Sequence, residues 1–219
     1  MDLMRDQDML EPINQAAITN RSYVDPTFDA ILDPALSEYG VPYMVTYTGI
    51  AWRNDRLANI DPSWNIFANT TLRGRMTMLN DPRETIAVGL LYHGFNVNTL
   101  NPAELQAAQN TIISWKKNLA KFENEQYKNG LASGEYLVVH GYSGDIIQVM
   151  QEDSKISFAS PKEGITATVD FLSIPKGAKN INLAHAFINY LYETEPSLQN
   201  TIFTGLLVLN KHIYNKLPK

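Results

Sequence analysis

The sequence contains no cysteine. Disulfides, thiol catalysis and cysteine-ligated metals are therefore excluded. A cysteine-free chain suits a reducing compartment, and equally an envelope protein that dispenses with disulfides. Charge is also scarce: Asp, Glu, Lys and Arg make up 19% of the 219 residues, below the usual quarter. The net charge is −5 and no run of Lys or Arg occurs, which argues against a nucleic-acid partner. No apolar stretch approaches the ~18 residues that a membrane span needs, so a soluble chain without a transmembrane segment is expected. The opening residues, MDLMRDQDML, are polar and acidic, unlike a signal peptide. An exported protein would carry its leader outside this sequence or have lost it. Repeats and low-complexity linkers are missing too.

What is present is a chain that is 44% hydrophobic with 11 tyrosines, enough for one large domain or two small lobes. Residues 2–10 read as the tail of a helix, and 11–40 as loop with Pro12, Pro26 and Pro34. The β-branched and aromatic run VPYMVTYTGIAW (41–52) predicts a strand, and GRMTMLN (74–80) another. Between them, DPSWNIF (61–67) reads as a turn entering a short helix. PRETIAVGLLYHG (82–94) predicts a helix closed by Gly94. A long helix is expected over 101–122, with Leu105, Ala108, Ile112, Trp115 and Leu119 on its buried face. YLVVHGY (136–142) reads as a short buried strand, SGDIIQVMQE as a helix start, and 157–175 as two extended pieces. NLAHAFINYLYE (182–193) predicts a helix with Leu183, Phe187, Ile188 and Leu191 inward. Alternating strands and helices imply an α/β architecture, with any site at the carboxyl ends of strands.

The stretch NDPRETI (80–86) sits at such a strand end. Asp81 suits a helix N-cap, Pro82 the first helical position, and Glu84 at the third completes a capping-box-like arrangement. Asn101-Pro102-Ala103-Glu104 repeats that grammar, so spacing alone does not separate a cap from a site. Two carboxylates fixed at a helix N-terminus stay ionised and attract a cation. The two roles are compatible.

Other candidates carry less. The four histidines (93, 140, 185 and 212) have no paired metal-ligand spacing. Gly141-Tyr142-Ser143-Gly144-Asp145 fails the nucleophile-elbow pattern, since Asp145 stands where the second glycine belongs. Ser143 and Asp145 read as the start of the next helix. A carboxylate-based enzyme would need a base or nucleophile that nothing else here supplies. The Trp115 stripe reads as core.

Several stretches together resemble one family, the periplasmic spermidine/putrescine receptors of ABC importers. LRGRMTMLNDPRE is similar to the family's strand of the type KGRVAML followed by DDPRE. VPYMVTYTGIAWRND is similar to its VPY-WGTTGI-VN strand, and HGYSGDI to its G-W-S-G-D loop. FASPKEGITATVDFLSIPKGAKN is similar to a stretch running PKEG, aromatic-x-Asp, IPKGAKN; AHAFINYLYETEPSLQN resembles the helix that follows. GLLVLN stands where the family usually has G-Y-P-T-P-N, and MDLMRDQDMLEPIN resembles a helix and turn well inside its first lobe. The resemblance covers nearly the whole chain in one order, with the family's opening strands and final helices unmatched.

The resemblance implies a two-lobed, type II periplasmic-binding-protein fold with hinge crossing strands, the first lobe incomplete. Lobe one would comprise residues 1–47 and 170–219, and lobe two residues 48–169. It implies a receptor rather than an enzyme, with no cofactor and no metal. The partners would be a polyamine ligand and an inner-membrane ABC permease, for a monomer in the periplasm or lipid-anchored in the envelope. By the same resemblance Asp81 and Glu84 face the ligand cleft from lobe two, and Asp170 holds an amine at the hinge. Aromatic walls are expected too. Tyr142 stands at the family's loop tryptophan, Thr168 and Val45 stand at two further tryptophan positions, and Tyr47 offers a different wall. A receptor for another small cationic solute is the alternative that these changed walls leave open.

Overall fold

The computed structural model describes residues 1–31 and 33–217. In chain order the elements are α1 (Asp2–Asp6), β1 (Leu10–Glu11), α2 (Pro26–Ile31), α3 (Pro34–Ser37), β2 (Val41–Arg53), β3 (Met76–Met78), α4 (Pro82–Tyr92), α5 (Pro102–Lys116) and β4 (Lys121–Phe122). They continue with α6 (Tyr127–Ser133), β5 (Val138–Tyr142), α7 (Ser143–Glu152), β6 (Ile156–Ala159), β7 (Ala167–Leu172), β8 (Ile174–Pro175), α8 (Ile181–Leu191), α9 (Thr194–Thr204) and β9 (Leu207–Val208). The chain is α/β, with strands and helices alternating as the sequence implies. It divides into two compact units. The central unit holds residues 47–167; the terminal unit joins residues 1–46 to 168–219. Tyr47 thus belongs to the central unit, and Thr168 and Val169 to the terminal unit.

The central unit is built on a mixed sheet in the order β4-β3-β5-β2-β6. β3 lies parallel to both β4 and β5, while β2 runs antiparallel to β5 and β6. This arrangement sets one functional edge. The carboxyl ends of β3 and β5 point the same way, and the pairing of antiparallel β2 with β5 begins there, with Thr48 opposite Tyr142. One face packs Ile50, Met76, Met78 and Val138 against Trp64, Phe67 and Trp115. The other packs Val139 and Ala51 against Tyr127, Leu131 and Ile146. Strands buried on both faces explain the near-continuous apolar runs.

Helix α5 is shorter than expected, stopping at Lys116 rather than running to residue 122. Buried Asn118 ends it: its side-chain amide donates to the Phe67 carbonyl at 3.1 Å, while its backbone carbonyl leaves the helix pattern and accepts from the Gly74 amide at 2.8 Å. A side chain that satisfies backbone groups in this way competes with helix continuation. Phe122 then enters β4. Ala108, Ile112 and Trp115 are buried, whereas Leu105 in the first turn is exposed.

In the terminal unit, β1 pairs antiparallel with β8, and β9 with the first half of β2 at Met44↔Val208. Val41, Tyr43, Ile174, Ile188, Tyr192 and Val208 are among the core residues. Buried Asn210 ties the unit together, donating to the Tyr192 carbonyl at 2.8 Å and to the Ser197 hydroxyl at 3.0 Å. Helix α8 corrects the expected phase. Ile188 faces inward, but Leu183 and Phe187 are 62% and 57% exposed, and His185 is buried instead. Periodicity points to the wrong face because two polar residues of the inner side, His185 and Asn189, are satisfied there, Asn189 accepting from the Asn20 amide and donating to the Ala17 carbonyl. His185 makes the choice: Nε2 accepts from the Asn14 amide at 3.1 Å and Nδ1 lies 2.8 Å from the Ile181 carbonyl. Those partners require a neutral ring that donates through Nδ1.

Among the described residues no helix is long and apolar enough to cross a membrane. No group of three or more His, Cys, Asp or Glu among them is arranged to hold a metal ion.

Candidate functional site

The carboxyl edge of the central sheet gathers Asp81, Glu84, Thr48, Tyr142 and Thr166. Asp81 follows β3 and caps α4. Its Oδ1 accepts from the backbone amides of Arg83 at 2.9 Å and Glu84 at 3.2 Å. Its Oδ2 faces the Tyr142 hydroxyl at 3.5 Å. One carboxylate therefore caps with one oxygen and presents the other.

Glu84 departs from the capping-box expectation. Its side chain does not turn back to the cap but is 9% exposed, with Oε2 held by two hydroxyls. Thr166 donates at 2.5 Å and Thr48 at 3.2 Å, and the two hydroxyls lie 2.9 Å apart. The physical reason is competition: two converging hydroxyls give the carboxylate two charge-assisted bonds, where the cap would offer a single backbone amide. Among the described residues neither Asp81 nor Glu84 forms an ion pair with a basic side chain. Two carboxylates thus stand at a positive helix end, one of them buried, with no basic side chain paired to them among the described residues.

Tyr142, the last residue of β5, is half-buried. Burial, and then the charges of Asp81 and Glu84, push its phenol up to about 12. It stays a neutral donor with an apolar face at any ordinary pH. Tyr47 begins the central unit on β2. Its ring lies 5.8 Å from that of Phe158, tilted by 34°, and its amide donates to the Ser143 hydroxyl at 3.3 Å. Ser143 is fully buried and its oxygen takes that bond, so it ties β2 to the first turn of α7. His140, two residues before Tyr142, is fully buried, and neither ring nitrogen has a hydrogen-bond partner among the described residues. Burial drives its pKa down to about 3, with Asp81 pulling weakly the other way.

The remaining candidates lie in the terminal unit. Asp170 is on β7 with an exposed side chain, yet desolvation holds its carboxyl above the ordinary aspartate value. Thr168, two residues earlier, is exposed. Val45 is buried and pairs with Leu207, so it packs the sheet rather than offering a wall. Sequence reasoning missed Thr48 and Thr166. Thr48 is an ordinary strand threonine and Thr166 a loop threonine just before β7, and only the fold brings residues 118 positions apart onto one carboxylate.

Comparison with known proteins bears on this constellation. A putrescine/cadaverine-binding protein of Pseudomonas aeruginosa is 30% identical, over 93% of this chain and 61% of its own length. A spermidine/putrescine-binding periplasmic protein of Escherichia coli is 29% identical, over 91% of this chain and 58% of its own. The crystal structure of the TpPotD lipoprotein of Treponema pallidum superimposes with a TM-score of 0.86 at 34% identity, covering 93% of this chain and 65% of that one. The chain spans less than two thirds of the length of each of these relatives. The profile of the bacterial extracellular solute-binding proteins matches residues 1–216, nearly the entire sequence. The chain belongs to the bacterial extracellular solute-binding protein family.

Proposed function

We propose that this chain serves as the ligand-binding part of an ABC importer's solute receptor and that its ligand is a short polyamine. The observation that carries this reading is the Asp81–Glu84 pair: two carboxylates at one helix N-terminus, one buried, without a cationic side-chain partner among the described residues. A buried, unpaired carboxylate is costly unless a cation arrives. An ammonium group fits well. It carries one charge and three donors, enough for the free oxygen of Glu84 and Oδ2 of Asp81 together. Tyr142 would cover the adjoining methylenes and add cation–π attraction of roughly 0.5–2 kcal/mol. A polyamine has a second ammonium at the far end of a methylene chain. Asp170 is the proposed partner for that charge, with Tyr47 and Thr168 as further ligand residues.

The relatives' names support this reading, being binding proteins for putrescine, cadaverine or spermidine. The carboxylate-enzyme alternative is set aside, because the family binds solutes. The proposed setting is the periplasm or the outer face of the membrane, where a monomeric receptor would hand its ligand to a permease.

Isothermal titration calorimetry with putrescine, cadaverine, spermidine and spermine tests the reading. Saturable binding of at least one amine, recovered unchanged, is expected. Absence of heat with all four at millimolar concentration refutes an amine receptor in this chain. Conversion of any of them would restore the enzyme.

A further inference from the structure

Behind Tyr142 lies a polar network that no ligand reading requires. Tyr127, at the start of α6, is fully buried. Its hydroxyl donates to Asp145 Oδ2 at 2.6 Å and accepts from the backbone amide of Tyr142 at 3.1 Å. Lys128 closes the set, its Nζ 2.9 Å from Asp145 Oδ1. The Tyr127 ring also presses on the strand itself. A Cβ placed on Gly141 would come within 2.6 Å of Tyr127 Cε2, so glycine is required for this close approach. Residues 141 and 142 therefore rest on one buried ring and hang from its hydroxyl.

We propose that Tyr127 and Asp145, with Lys128 as the counter-charge, are positioning residues that fix Tyr142 over the acid pair. Tyr142 closes β5 opposite Thr48 of β2, and the acceptor for its amide is the Tyr127 hydroxyl rather than a strand carbonyl. Asp145 anchors the Tyr127 hydroxyl so that its lone pair points at that amide. Lys128 balances Asp145, and the negative field at the sheet edge then comes from Asp81 and Glu84. A phenol is well suited to this relay, because it donates and accepts at one atom. Phenylalanine would keep the packing and lose both bonds.

The test is a double-mutant cycle with a readout that needs no ligand. Tyr127→Phe and Asp145→Asn are made in the native chain and again with Tyr142→Ala. Amide exchange at residue 142 is followed by NMR, and putrescine affinity by calorimetry. Expected are exchange at residue 142 about fivefold faster or more in Tyr127→Phe, and affinity about fivefold weaker with Tyr142 present, the worth of one neutral hydrogen bond. With alanine at 142 the affinity loss should shrink below about twofold. Equal losses in both backgrounds, or unchanged exchange at residue 142, overturn the proposal. The affinity arm rests on the polyamine reading, whereas the exchange arm does not. Absence of putrescine binding in every form thus refutes that reading while the exchange rates still decide the positioning role.

Discussion

Glu84→Gln separates the two roles that the acid pair offers. The substitution keeps shape and volume and removes one charge. The amide oxygen can still accept from Thr166 and Thr48, so the bonds that now hold Oε2 at 2.5 and 3.2 Å have a neutral substitute. Losing a carboxylate from the third helical position forfeits about 0.3–1 kcal/mol of interaction with the helix dipole. Removing a buried charge that lacks a counter-ion returns a comparable amount. Stability should therefore change by less than about 1 kcal/mol, or ~2–4 °C in Tm for a chain of this size. Ligand binding should suffer far more. A hydrogen bond to a charged group is worth about 1.5–3 kcal/mol, which converts to roughly 10- to 150-fold in Kd. Calorimetry with putrescine and differential scanning fluorimetry on the same preparations provide both numbers. A Tm lowered by more than about 5 °C with unchanged affinity would refute the ligand role and leave Glu84 as a structural acid.

His140 makes folding pH-dependent. Its folded pKa of about 3 lies below the unfolded value of 6.5, so its contribution is complete above pH 6.5 and lost as pH falls toward 3. Between pH 7.5 and 5 this costs about 2 kcal/mol, and His140→Phe should flatten that slope in chemical denaturation; a parallel slope in the variant contradicts the argument. Thr166→Val removes the shortest donor to a buried carboxylate and should cost about 1.5–3 kcal/mol of stability, so an unchanged denaturation midpoint would mean the hydroxyls do not carry Glu84. Asp170→Asn should weaken diamine binding about tenfold or more and affect monoamines less. Because the Asp170 carboxyl titrates above the ordinary aspartate range, affinity in the native chain should fall with acid beginning above that range, and titrations in buffers from pH 7 downward check the sign.

Local chemistry was legible in the sequence. Asp81-Pro82 and Asn101-Pro102 mark helix starts because capping is decided within four residues, and both caps form. The α/β alternation was legible because strand and helix periods differ. Distant competition was not. Glu84 looked like a capping-box residue, since nothing local announces that Thr48 and Thr166 will converge on it. The end of α5 was hidden for the same reason, because Asn118 acts through Phe67 and Gly74, both more than forty positions away in the chain. Asp145 looked like a first-turn acid of α7, a reading that concealed its bonds to Tyr127 and Lys128. The phase of α8 failed because His185 and Asn189 turn inward, where Asn14, Ala17 and Asn20, more than 160 positions away in the chain, satisfy them.

That last helix has a practical consequence. Leu183, Phe187 and Tyr190 form an outward stripe, with the Phe187 and Tyr190 rings stacked at 6.5 Å, and Phe203 on the following helix is 83% exposed. Wherever this face stands bare, it governs the colloidal behaviour of the protein. Sticking should grow with concentration, with salts that strengthen apolar association, and with warming toward room temperature, while dilute, cool, low-salt solutions should keep the chain dispersed.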